Sequence, residues 1–154
     1  MTVADKTHVD GSEPGDSFEQ RKAERLLISS LARTLGTRLL KKKVDLPGGD
    51  WLEIDGYCES PLILCEAWAH IGPPKAAQKK KVMADALKML YAERMASKHA
   101  RKILLFADRK AARGFQGKNW MANALRAFEI EIHVAELPDD NRAAVENAQK
   151  RQYR

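Results

Sequence analysis

Along this chain the apolar positions keep two different rhythms. Ala23, Leu27, Ser30, Leu31 and Leu35 recur at helical spacing, introduced by Ser17 with Gln20 three residues on, and stopped by Gly36. A capping box at the start and a glycine at the end predict a helix over 18–35. A short strand is expected over 38–44, ended by the turn-rich stretch 46–50. Residues 51–57 then alternate, with Leu52 and Ile54 on one face and Trp51, Glu53, Asp55 and Tyr57 on the other. Glu59-Ser60-Pro61 reads as a turn and 62–68 as a second strand, so the pair forms a hairpin.

After Gly72-Pro73-Pro74 a long helix is expected over about 75–97, with an apolar stripe of Val82, Met83, Ala86, Leu87, Met89 and Leu90. Residues 102–107 read as a buried strand, 109–117 as a basic glycine-bearing loop and 118–128 as a helix. A last strand covers 130–137, and Asp139 or Asp140 caps a terminal helix within 138–154. Residues 1–16 are polar and without periodicity, as in a disordered arm. The predicted order over 17–137 is α-β-β-β-α-β-α-β, a mixed α/β (α+β) fold whose central mixed sheet is flanked by helices.

Composition narrows the partners. The 154 residues are 44% hydrophobic and 31% charged, a balance suited to a packed core. No apolar run is long enough to span a bilayer and the opening residues hold no apolar signal region, so no membrane and a cytoplasmic location are expected. Cys58 and Cys65 lie in predicted strands and suit a reducing compartment. The net charge of +6 is concentrated in Lys41–Lys43, Lys79–Lys81 and the stretch 101–118, and suits a polyanion such as nucleic acid. Zinc spacing, a Ser/His/Asp order and a phosphate-cradling glycine loop are all missing from the sequence, while His70 and His133 read as surface and edge residues.

The hairpin carries the candidate chemistry. If its turn centres between Glu59 and Ser60, Asp55 faces Leu64 and Glu66 is its diagonal neighbour, roughly 7–8 Å away at the backbone. Two carboxylates so placed repel unless a hard cation such as Mg²⁺ joins them. Glu66 interrupts an otherwise core-like strand, where a charge is rarely left without a partner.

An acidic helix, the Asp of "IDGY", a turn, an apolar strand ending in Glu and a helix with Gln and Lys together resemble the PD-(D/E)XK (restriction-endonuclease-like) nuclease superfamily. The likeness spans about 18–136, including the element order. It implies a Mg²⁺- or Mn²⁺-dependent nuclease acting on DNA, with Asp55 and Glu66 as metal ligands and Glu24, or in reserve Glu19, completing the cluster. The family also expects a lysine two residues after its Glu, where this chain has Trp68. Some members carry that lysine on the following helix. On a helical wheel Lys79 falls on the apolar face and is expected to point at the carboxylates, with Lys81 next and Lys75 third. Lys81 lines up instead with Gln78, Asp85 and Lys88 on a polar face. Gln78 matches the helix glutamine of recombination-type members. Arg109, Lys110, Arg113, Lys118 and Trp120 are expected to hold the nucleic-acid backbone, Gln78 and Lys75 to contact nucleic acid as well, and a homodimer to serve in cutting both strands. The alternative is a catalytically silent member that binds nucleic acid or a protein through the same fold.

Overall fold

A computed structural model describes residues 17–152; the arm expected over 1–16 lies outside them. Helix α1 (Phe18–Leu35) begins as expected: Gln20 N–H donates to the Ser17 hydroxyl, and Ser17 N–H donates to the Gln20 side chain. It stops at Gly36, whose φ of 66° is a left-handed conformation that costs glycine little. Strands β1 (Leu40–Asp45), β2 (Trp51–Cys58) and β3 (Ile63–Trp68) follow, then α2 (Ala76–Ala96), β4 (Arg101–Phe106), α3 (Arg109–Arg113), α4 (Trp120–Ala127), β5 (Ile130–Val134) and α5 (Asp139–Gln152).

The five strands form one sheet in chain order. β2 runs antiparallel to both of its neighbours, β1 and β3, whereas β3, β4 and β5 run parallel. This is a mixed α/β architecture with helices on both faces. On one face α1 and α5 cover Ile63, Cys65, Ala67, Ile103 and Leu105. On the other, α2, α3 and α4 cover Leu62, Leu64, Trp68, Leu104 and Phe106. The central strands are buried on both sides and so read as nearly continuous apolar runs. Lys102, in the middle of that apolar burial, donates to Glu93 of α2 at 2.6 Å, and so ties the end of the helix to the start of β4.

Three expectations change. The stretch from Arg109 is not all loop: Ala111 and Ala112 are fully buried beside Phe115, and their packing holds one short helix that five residues of sequence cannot announce. β2 does not alternate strictly. Between the pairs Leu40↔Tyr57 and Lys42↔Ile54, β1 advances two residues while β2 covers three, so Asp55 and Gly56 form a bulge. In consequence Leu52, Ile54 and Tyr57 all pack into the α2-side core. Finally, α2 is rotated: its buried residues are Val82, Ala86, Met89 and Ala92, and Leu87, expected in the stripe, is exposed.

Candidate metal and phosphate site

The bulge and the hairpin register together build the site. β2 and β3 pair as Gly56↔Cys65, Tyr57↔Leu64 and Cys58↔Ile63, so the turn centres on Ser60–Pro61, one residue later than expected. Pro61 has no N–H to give a ladder, and it falls naturally in the turn. Carried one step further, this register sets Asp55 directly beside Glu66 rather than diagonal to it. There the ladder ends, and the Asp55 carboxylate takes over by accepting from Ala67 N–H at 3.0 Å. At the bulge Gly56 presses on α1: a Cβ there would stand 3.0 Å from Ile28 Cδ1.

Glu66 is only 3% exposed. Burial drives its pKa well above the ordinary carboxylate value, the Asp55 charge adds to this, and Lys88 opposes it. Lys88 Nζ lies 2.9 Å from Glu66 Oε1 and 3.7 Å from Asp85 Oδ1. The 2.9 Å approach is an ion pair by distance, yet that buried oxygen has no aligned hydrogen-bond donor. Burial also raises Asp85 to about 6, against the pull of Lys88. For Lys88 burial disfavours the ammonium, but Glu66 and Asp85 outweigh it and raise its pKa.

A second cation stands close by. Lys81 Nζ lies over the Trp68 ring, 5.9 Å from its centroid, and His70 stacks on the same ring with centroids 4.3 Å apart. The Trp68 indole N–H is buried without a partner. Gln20 of α1 approaches both ring nitrogens of His70, at 3.2 and 3.3 Å.

The structure therefore brings together Asp55, Glu66 and the polar edge of α2, with Lys81, Asp85 and Lys88, and not its apolar stripe. Lys79, expected at the carboxylates, points elsewhere: its Cε lies 3.9 Å from where a Cβ on Gly114 would stand, beside α3. The reason is the rotation of α2, which turns Asp85 and Lys88 inward over the buried charge of Glu66. Gln78 accepts from Lys75 N–H at 2.8 Å and so caps the helix start. Glu19, the reserve acid, is paired with Arg151 of α5 at 2.9 Å. Glu24 belongs to α1, on the opposite face of the sheet from α2. Among the described residues no group of three or more His, Cys, Asp or Glu is placed to hold a metal, so the third acid is not supplied by α1. Arg109, Lys110, Arg113, Lys118 and Trp120 are exposed in the layer that also holds α2. Asp85 and Lys88 were visible in the sequence as one polar face; what it lacked was the direction in which that face points.

Two carboxylates, one of them with a buried oxygen lacking an aligned donor, are a donor set that Mg²⁺ or Mn²⁺ accepts, since Mg²⁺ uses one or two carboxylates and completes its shell with water and phosphate oxygens. Comparison with protein-family models, with curated proteins and with solved structures returns no match. Among the described residues no helix is long and apolar enough to cross a membrane.

Proposed function

We infer that this protein is a Mg²⁺-dependent nuclease of the PD-(D/E)XK type, acting on DNA in the reducing cytoplasm. The observation that carries this reading is the meeting of Asp55 and buried Glu66 at a bulged strand end, with Lys88 Nζ 2.9 Å from Glu66. Asp55 and Glu66 would hold the ion, and Asp55 is itself oriented by Ala67 N–H. The bound ion supplies Lewis-acid polarisation of the phosphate and an acidified water. Lys81, above the ring of the residue that replaces the family's lysine, is the cation set to orient the attacking water and to meet charge developing on the phosphate. The exposed Arg109, Lys110, Arg113 and Lys118 hold the DNA backbone through its phosphates.

Trp68, and the lack of a third acid grouped with Asp55 and Glu66 among the described residues, favour a second reading, a silent binding module on the same scaffold. One assay separates them: plasmid cleavage with and without Mg²⁺ or Mn²⁺, comparing wild type, Asp55→Asn and Lys81→Ala. The asparagine keeps an acceptor for Ala67 N–H but removes the charge. The enzyme reading expects metal-dependent cutting that falls about a hundredfold or more in each variant. DNA binding without cutting by wild type would leave the silent module.

A further inference from the structure

Building on the metal-site reading, we propose that Lys88 is an internal counter-ion that occupies the cation's place until a divalent metal displaces it toward Asp85. Glu66 is almost wholly buried and stands beside Asp55, so a cation placed against it lowers the cost of keeping its charge out of water. In this state that cation is the Lys88 ammonium, 2.9 Å from Glu66 Oε1. A divalent ion bound to the same oxygen would lie within about 5 Å of the ammonium, and the two cations would repel each other. The helix provides a retreat. Asp85, one turn earlier, already lies 3.7 Å from the ammonium, and both side chains are about a quarter exposed (27% for Lys88, 24% for Asp85). Lys88 can thus give up Glu66 without losing every counter-charge, and only its long stem has to move.

The exchange has two consequences. The metal-free fold keeps its buried carboxylate neutralised, and metal affinity is lowered by the work of evicting the ammonium. Asp85 and Lys88 then act on metal loading, while Lys81 attends the phosphate. A lysine that merely packed α2 against the sheet would leave metal affinity unchanged.

The test is calorimetric titration of Mn²⁺ into wild type, Lys88→Met and Lys88→Arg at fixed pH and salt. Lys88→Met is expected to bind Mn²⁺ about tenfold more tightly, with Lys88→Arg near wild type. A companion measurement needs no variant: the acetylation rate of the Lys88 amine in wild type, read by mass spectrometry, rises on adding Mg²⁺, while that of exposed Lys110 stays constant. Wild type binding Mn²⁺ with Lys88→Met no tighter, or a Lys88 amine no more reactive with Mg²⁺, overturns the counter-ion role and leaves the metal site standing. Wild type binding no Mn²⁺ at all overturns the metal site and this role together.

Discussion

His70 shows how much one side chain owes to its neighbours. It is held between the Trp68 ring and Gln20, and burial, with Lys81 nearby, lowers its pKa from 6.5 to about 4. The folded protein therefore binds fewer protons at this ring than the unfolded chain between pH 6.5 and 4. Stability from this source is complete above pH 6.5 and drains away as pH falls toward 4. Discounted for the ring's partial exposure, the loss over that window is about 2 kcal/mol. Phenylalanine keeps the stack on Trp68 but does not titrate. Urea unfolding of His70→Phe between pH 4 and 7 should thus show a flatter acid limb than wild type by that amount. Parallel limbs would mean that His70 does not resist protonation in the fold.

At the scale of elements, the bulge in β2 is the device that matters. It sets Ile54 and Tyr57 on one face three residues apart, and brings Asp55 to the place where the β2–β3 ladder ends. Gly56 makes this possible, because α1 passes so close that a Cβ would meet Ile28 Cδ1 at 3.0 Å. Gly56→Ala is expected to cost about 1–2 kcal/mol by overpacking. Ile28→Val removes the offending methyl, so the double variant should recover much of that loss, seen as a favourable coupling in a double-mutant cycle of unfolding free energies. Strict additivity would show that the bulge, and not the approach of α1, fixes Gly56.

For the whole molecule, the question is where a net charge of +6 acts. The exposed Arg113 and Lys118 lie in the same layer as α2 and the carboxylates, so a bound duplex would meet both regions from one side. If Arg113 and Lys118 each neutralise a phosphate, replacing both by alanine lowers the slope of log affinity against log salt by about two. Fluorescence anisotropy over a salt series measures it. An unchanged slope would remove both residues from the contact surface.

Much of this protein is written locally. The capping box and glycine stop of α1, the two strands around Pro61, the long helix after Gly72-Pro73-Pro74 and the buried strands β3 and β4 follow from periodicity and turn chemistry; the hairpin brings Asp55 near Glu66, but the direct pairing, in place of a diagonal one, came with a turn one residue later than its pattern suggests. Elsewhere local pattern was not enough. The wheel of α2 offered Lys79 to the carboxylates, because Met83 and Leu87 look as apolar as Val82 and Ala86; the sheet accepted the edge bearing Asp85 and Lys88 instead. The short helix α3 exists only because its alanines are buried. A sequence carries the spacing of its side chains along each element, since that is set by bonds and backbone angles. The rotation of a helix on its sheet, and with it the lysine that meets a buried glutamate, is decided by packing and desolvation among residues far apart in the chain.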